Sequence, residues 1–459
     1  MKAIDYFLQL TRIPRPSGKE DKVVEFLKDY AIKNDLEYQI NGNKNIIITK
    51  NNNSPKSIIL QAHTDMVCEK HSYVDIDFNT DSIQTIIDGD IIKAKGTTLG
   101  ADDGYGVATI LQILDECGKG YPNIEAIFTS DEEVVITGAM SLDLSNVKSN
   151  MVIGLDGTSS SEITVSSAGA LRIQYDADFQ TQKVNTSGYK VEVSGLLGGH
   201  SGEEINLNRA NSNKLIFEFL GTLNDVTIST INGGNKDNAI PREAQCEFVT
   251  TDNAVAQKLK DFLAKAKSIY SSEKDLDIKL EKVKLEKLMD KEFSNKLLGF
   301  GLEFKNAVLV WDTLDSTFPI TSINLASFTT KENSLVVRTM LRSSDSMLEN
   351  FYEKKYLDLG KKYGFVGSIA NRSPYFEKSK DGKLINACVN AYKNIGYDDL
   401  KVSGIHAGLE GGVFADKIKN AQIVCLGADL NQIHTPNESM KISSLEKLTK
   451  WIKEILMLI

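Results

Sequence analysis

The sequence predicts an α/β protein: a first domain built on a mostly parallel central sheet, interrupted by an inserted α+β domain. Three observations carry this. Apolar strands alternate with helical stretches early in the chain, the pattern of a layered parallel sheet. Acidic residues sit where those strands end, the usual place for ligands in open α/β sheets. The alternation lapses near residue 183 and resumes near 377. The parts are therefore drawn at 1–182, 183–376 and 377–459, the first and third forming one domain.

Residues 1–37 read as two helices around the hinge IPRPSG. Ser17 is a candidate cap for the second, where Val23, Val24, Phe26, Leu27 and Tyr30 fall near helical spacing. Strands follow at 46–49 and 58–60, the latter leading into His63. Strands at 83–87 and 91–94 flank Asp88-Gly89-Asp90, a hairpin signal. A helix is predicted over 104–117 and strands over 124–129 and 151–155. In the inserted domain 189–193 alternates and 211–220 is helical. Two stretches then share one order: strands 226–233 and 239–250, helix 253–268, strand 276–280; and strands 321–328 and 334–341, helix 346–363, strand 365–370. This is either a ββαβ duplication or two unrelated α+β pieces. The first style returns with a helix over 383–395, strands at 400–403 and 421–426, and a helix over 443–457.

Composition is that of an ordinary globular protein of 459 residues, 41% hydrophobic and 25% charged. Net charge is −9, interspersed and without a basic block, which argues against nucleic acid or an anionic membrane as partner. The N-terminal stretch lacks the apolar region and small-residue cleavage site of a signal peptide. No apolar run reaches the roughly 18 residues of a membrane span. The five cysteines are scattered, with no CxxC, which suits reduced thiols in a cytoplasmic protein.

Five short stretches hold the chemistry: 59–65 (ILQAHTD), 96–103 (GTTLGADD), 129–133 (TSDEE), 152–156 (VIGLD) and 432–438 (QIHTPNE). His63 and Asp65 share a face if the strand continues, and Asp65 could accept the second N–H of a metal-bound His63. Singly, each candidate has an ordinary reading: Asp102-Asp103 as a helix cap, Glu132 and Glu133 as a solvated helix start, Asp156 as a turn residue, His434 as a surface histidine. Together, His63, Asp102, Glu133, Asp156 and His434 are a nitrogen and oxygen donor set typical of zinc, and a dinuclear site needs a shared carboxylate. Gathered carboxylates repel by about 4 kcal/mol per pair at ~4 Å in an effective dielectric near 20. Two divalent cations would remove that conflict and leave Glu132 over as a general base.

The motifs HTDM, GTTLGADDG, TSDEE, GLD, GGHSG, NKDNAIPREA, HAGLE and IHTPNE resemble, in order, those of the aminoacyl-histidine dipeptidases (Xaa-His dipeptidases). These belong to a wider group of dinuclear zinc aminopeptidases, carboxypeptidases and amidohydrolases. The resemblance implies a zinc-aminopeptidase-like first domain with the inserted domain as a lid. It implies two Zn2+ per chain, with Co2+ or Mn2+ suited to similar sites. Asp102 would bridge them; His63 and Asp156 would complete one site, Glu133 and His434 the other. Glu132 would activate the bridging water and return its proton to the leaving amine, and Asp65 would orient His63. The Asp102–Asp103 peptide would be cis. His200, in GGHSG, would donate to the oxyanion, a contact worth roughly 3–4 kcal/mol. Arg342 and Asn238 are candidates for gripping the substrate's carboxylate end and backbone; Arg342 could equally form a surface salt bridge. Gly404 and His406, in 404–412 (GIHAGLEGG), would lie in the first domain and shape the substrate pocket. His71 has no motif and reads as structural.

The implied activity is hydrolysis of the peptide bond of unblocked dipeptides, carnosine-like Xaa-His among them. Departures from the family pattern surround the pocket: Gly411 for Cys after HAGLE, no Pro in LGAD at 426–429, NES for NER, and Val-Val-Ile after DEE. They bear on strict Xaa-His preference more than on hydrolysis. One alternative is an amidohydrolase acting on N-acyl or N-carbamoyl amino acids. Another is a metal-binding protein without catalysis, against which the intact Glu132 argues. A duplicated ββαβ would let one chain supply both halves of what relatives build by dimerisation. His200 is then expected to reach the metals in cis, with monomer and homodimer both open.

Overall fold

The computed structural model describes residues 1–379 and 382–459. They form two compact units: 1–167 with 375–404 and 409–459, and 168–374 with 405–408. The first crossing falls at 167/168 rather than 182/183, because strand Gly169–Asp178 pairs with Ser334–Ser343 and Val366–Ser373 of the second unit. The stretch 405–408 joins that unit too, since the Ala168 N–H donates to the carbonyls of Ile405 and Ala407. His406, expected in the first domain, therefore belongs to the second.

The first unit is organised on an eight-stranded sheet in the order Glu37–Asn41, Asn45–Lys50, Asn123–Thr129, Ser57–His63, Met151–Gly157, Gln422–Gly427, Glu162–Ser167, Lys401–Ile405. The four strands from Asn123–Thr129 to Gln422–Gly427 are parallel, and antiparallel pairs flank them on both sides. The sheet is thus mixed rather than mostly parallel. Glu37–Asn41, exposed along nearly all its length, carries no apolar alternation that could have announced it.

The parallel centre is covered on both faces, which is why its strands read as continuous apolar runs. In Ser57–His63, Ile58, Leu60 and Ala62 pack into the layer of helices Ala3–Leu10, Ala101–Glu116 and Ile442–Leu458. Ile59 packs on the opposite face with Ile127, Val152 and Phe414.

The C-terminal helix is pinned by Trp451. Its buried ring meets Tyr392 edge-on at 4.8 Å between centroids, and its indole N–H donates to the Cys388 carbonyl at 2.8 Å. Just before this helix, Leu430–Asn431 pairs with Ser439–Lys441, which pairs with Ile91–Ala94. The loop 432–438 is thereby held against an early part of the chain. Trp451→Ala is expected to cost about 3–5 kcal/mol, from lost burial plus the cavity left behind. Urea denaturation measures this, and a loss below about 1 kcal/mol would show that the helix is anchored elsewhere.

The second unit is an antiparallel sheet in the order Asp277–Met289, Thr181–Ser194, Ala244–Val249, Thr227–Gly233, Pro319–Thr330, Ser334–Ser343, Gly169–Asp178, Val366–Ser373, with Ala307–Trp311 also paired to Pro319–Thr330. Its halves repeat one plan. Thr181–Ser194, helix Ser212–Leu220, Thr227–Gly233, Ala244–Val249, helix Val255–Ile269 and Asp277–Met289 form a βαββαβ motif with strand order 4-1-3-2. Gly169–Asp178, helix Lys291–Glu303, Pro319–Thr330, Ser334–Ser343, helix Ser346–Lys362 and Val366–Ser373 form another in the same order. The second strands of the two copies meet antiparallel at Asn232↔Thr329 and Gly233↔Phe328. The first copy is inserted after the opening strand of the other. That nesting hid the full repeat: the ββαβ visible in sequence is its later part, and the opening strand Gly169–Asp178 lies far from the helix that follows it in the motif. No helix among the described residues is long and apolar enough to cross a membrane.

Candidate metal centre

Three neighbouring parallel strands deliver acidic and imidazole groups to one edge of the first sheet. His63 ends Ser57–His63, Glu132 and Glu133 follow Asn123–Thr129, and Asp156 lies at the end of Met151–Gly157. This is the carboxyl edge, where ligands of such sheets collect. Asp102 lies where the helix Ala101–Glu116 opens, and its peptide bond to Asp103 is cis. His434 is carried by the loop 432–438.

Asp102 faces two imidazoles. Its Oδ1 lies 3.0 Å from His63 Nε2 and its Oδ2 lies 3.2 Å from His434 Nε2. His63 Nε2 is 3.8 Å from Asp156 Oδ1, and His434 Nε2 is 3.0 Å from Glu133 Oε2. Two donor groups result, His63–Asp102–Asp156 and Asp102–Glu133–His434, each with its ligand atoms within 4.8 Å of one another, and Asp102 belongs to both. Glu132 groups with His63 and Glu133 within the same distance.

The cluster attracts positive charge. Hydrogen bonds to Asp102 and Glu133 push the His434 imidazole up to about 10, against the effect of its partial burial. Burial opposes a charge on His63, yet Asp102 and Asp65 raise its pKa well above the ordinary value. Burial, reinforced by the carboxylates of Glu410, Glu133 and Asp102 and opposed by His63, pushes the Glu132 carboxyl up to about 8. Nitrogen and oxygen donors, buried at His63 and Asp102 and open to solvent at His434, that draw protons onto both imidazoles fit divalent cations, which would supply that charge instead.

Asp65 is more widely engaged than its spacing from His63 suggests. Its Oδ1 lies 3.3 Å from His63 Nδ1. The same carboxylate accepts the N–H groups of Glu132 at 3.0 Å and Glu133 at 3.2 Å. Burial raises the Asp65 carboxyl, but His63, the Ser17 hydroxyl and the Glu132 N–H outweigh it and hold it well below the usual range. Ser17, read as a helix cap, instead donates to Asp65 Oδ2 at 2.7 Å; the helix Asp21–Lys33 begins after Glu20. Asp103 accepts the His63 N–H at 3.2 Å and the Gly106 N–H at 3.1 Å, tying a strand end to a helix start.

Buried charged residues given no individual role in the sequence also surround this cluster, among them Arg15, Glu410 and Glu438. Glu410 Oε2 accepts from Gln61 Nε2 and Thr129 Oγ1, both at 2.6 Å, while its buried Oε1 has no partner. Burial pushes its carboxyl up to about 7. The sequence signal for Glu410 is its place in the motif HAGLE, as an acid opening the apolar, glycine-rich run EGGVF.

In the second unit, Arg342 Nη2 lies 3.2 Å from His200 Nε2, and His406 Nε2 lies 2.7 Å from Ser322 Oγ. Gly202 joins the group: a Cβ there would lie 2.3 Å from the His406 carbonyl oxygen and 3.0 Å from Arg342 Nε. Arg342 is 5% exposed and, among the described residues, has no carboxylate within ion-pair distance. It is a buried guanidinium that feels the Glu203 charge only at a distance, rather than half of a surface salt bridge. Burial and the Arg342 charge push His200 down to about 4 and His406 down to about 3, so both imidazoles are neutral. Asn238 is exposed, and its carbonyl accepts the Ser201 N–H at 2.8 Å beside the short pairing of Gly199–His200 with Ala239–Ile240. Gly404 sits half-buried in Lys401–Ile405, and His71 stacks on Tyr73.

A parallel-centred sheet whose strand ends gather two His–carboxylate groups around one aspartate, with a further glutamate beside them, is the frame of a metal-dependent hydrolase. The chain belongs to peptidase family M20/M25/M40, whose model matches residues 59–458. It is similar to the cytosol non-specific dipeptidase of Escherichia coli K12, with 29% identity across 98% of this chain and 97% of that protein. Among solved structures, aminoacylhistidine dipeptidase from Vibrio alginolyticus aligns with 99% of this chain and 96% of its own, at a TM-score of 0.87 and 27% identity. A tripeptidase from Staphylococcus aureus aligns with 99% of this chain and 97% of its own at a TM-score of 0.59 and 16% identity, a likeness of fold.

Proposed function

We propose that this protein hydrolyses the peptide bond of unblocked dipeptides in the cytoplasm. Two divalent cations, Zn2+ with Co2+ or Mn2+ as substitutes, would be held by His63, Asp102 and Asp156 and by Asp102, Glu133 and His434. The observation that carries the reading is Asp102, whose two oxygens face imidazoles from opposite ends of the chain. When bound, such cations polarise a carbonyl and bring the pKa of a water towards neutrality.

The chain's own groups do the rest. Glu132, within reach of the cluster, takes a proton from the attacking water and passes it to the leaving amine nitrogen. Asp65 holds the His63 ring and, through the amides of Glu132 and Glu133, the placement of the base. In this reading Arg342, whose Nη2 faces His200 Nε2, turns to receive the substrate's carboxylate, and neutral His200, its Nδ1 accepting the Glu203 N–H, donates from the freed Nε2 to the carbonyl oxygen as charge develops there. Asn238 contacts the substrate backbone, while Gly404 and His406 shape the pocket. The partnerless Glu410 oxygen suits a free α-ammonium group, which favours dipeptides over N-acyl amino acids. One relative is named a non-specific dipeptidase and another an aminoacylhistidine dipeptidase, so Xaa-His is taken as one substrate class among several.

A panel of free dipeptides, N-acetylated dipeptides and dipeptide amides, assayed with Zn2+, Mn2+ or Co2+, tests this. Free dipeptides should be turned over and both blocked sets poorly. A preference for N-acyl amino acids would replace the proposal by the amidohydrolase reading. Arg342→Ala is expected to lower kcat/KM on free dipeptides by about 30-fold or more, the loss of roughly 2 kcal/mol from an unpaired buried charge, with little change on amides. An equal loss on both would remove Arg342 as the carboxylate receptor.

A further inference from the structure

We infer that Glu438 and Arg15 are positioning residues that build the Asp102 loop before any metal arrives; this rests on Asp102 being the shared ligand. Residues 99–102 lead through the N-cap Gly100 into the first turn of the helix Ala101–Glu116, so their amides have no carbonyl partner within it. Glu438 takes all four. Its Oε2 accepts the N–H of Leu99 at 2.7 Å and of Gly100 at 3.0 Å, and its Oε1 accepts those of Ala101 at 2.8 Å and Asp102 at 3.3 Å. Four donors converging on two oxygens require an ionised carboxylate.

Arg15 holds the other side. Its Nη1 donates to the carbonyls of Thr64 at 3.0 Å and Asp65 at 2.8 Å, and its Nη2 donates to that of Gly100. Gly100 is thus held by its N–H and its C=O from two buried, oppositely charged side chains. The space is cut to fit: a Cβ at Gly100 or Gly104 would lie 2.6 Å from Arg15 Nη2, and Gly100 has a φ of +68°, which favours glycine.

These contacts link three pieces of the candidate site. Arg15 joins the His63–Asp65 segment to the Asp102 loop. Glu438 joins that loop to 432–438, the loop that carries His434. The spacing of His63, Asp102 and His434 is therefore set by backbone anchors, with no cation needed to gather them. Removing groups that orient metal ligands typically weakens metal binding 10–100-fold.

Amide hydrogen exchange on the wild-type protein, metal-free and zinc-loaded, tests this together with zinc titration of Glu438→Gln, Glu438→Asp and Arg15→Lys. Amides 99–102 should exchange slowly without metal and change little on loading. In Glu438→Gln they should exchange fast without metal, and the zinc dissociation constant should rise about 10–100-fold, with turnover recovering at saturating zinc. Glu438→Asp, which keeps the charge on a shorter arm, should fall between. A purely structural role would lower the melting temperature of Glu438→Gln and leave the zinc affinity of the folded protein unchanged. That result, or wild-type amides that slow only on zinc binding, would overturn the inference. If Glu438→Gln does not fold, the wild-type exchange and the Arg15→Lys titration decide, the latter expected to show weakened zinc binding. Wild-type protein that binds no zinc would sink the metal reading itself, whereas zinc-binding wild type with unaltered variants sinks only this inference.

Discussion

Replacing Glu132 by Gln is expected to cut kcat on a free dipeptide by about 10²–10⁴-fold while both metal sites stay filled. An amide of the same shape cannot take the proton of the attacking water. Glu132 lies outside the two donor groups that share Asp102, so its loss should leave metal content intact. KM should change little, because the carboxylate is asked to act on the reacting proton rather than to grip the substrate. Steady-state kinetics paired with metal analysis of the same sample reads both. Turnover near the wild-type rate with two metals bound would exclude Glu132 as the base. Loss of one metal would instead make it a ligand, through its other grouping with His63 and Glu133.

Replacing Asp102 by Ala should have the wider effect: no measurable turnover, and loss of high-affinity binding at both sites. Each donor group loses a member, since one oxygen faces His63 and the other His434. His434→Ala or Asp156→Ala should impair one site each, which separates a shared ligand from an ordinary one. Stability gives a readout independent of activity. Ligand at about 100 times its dissociation constant stabilises a folded protein by roughly 2.7 kcal/mol, so zinc should raise the melting temperature of the wild type and not that of Asp102→Ala. An Asp102→Ala protein that still binds two equivalents tightly would refute the shared-carboxylate arrangement.

Much of this was legible in the sequence because function and burial contrast sharply there. An apolar run such as AIFT or VIGL that leads into acids marks both a buried strand and a group it delivers. The α/β class followed from that alternation. Other features carried no such contrast. The strand Glu37–Asn41 faces solvent, so no periodicity marks it, and strand direction, which makes the sheet mixed, is not written in any local pattern. The full βαββαβ repeat is split by its own insertion, so only its contiguous portion shows as a repeat. Ser17 has the residue type of a cap and sits before a helix, yet its hydroxyl serves Asp65. Arg15 and Glu438 act mainly on backbone amides and carbonyls, which every residue offers, so the sequence holds no complementary partner to notice.

By itself the sequence determined which donors exist and that most of them stand at strand ends, because side-chain chemistry and apolar periodicity are local properties. Only the tertiary structure decided which donors meet. Leu430–Asn431 pairs with Ser439–Lys441, which pairs in turn with Ile91–Ala94, and this carries His434 to Asp102 and Glu438 to the amides beneath it. The physical reason is that pairing between distant strands runs through backbone hydrogen bonds common to all residues. The direction in which a side chain then points is a consequence of that pairing, and no spacing along the chain encodes it.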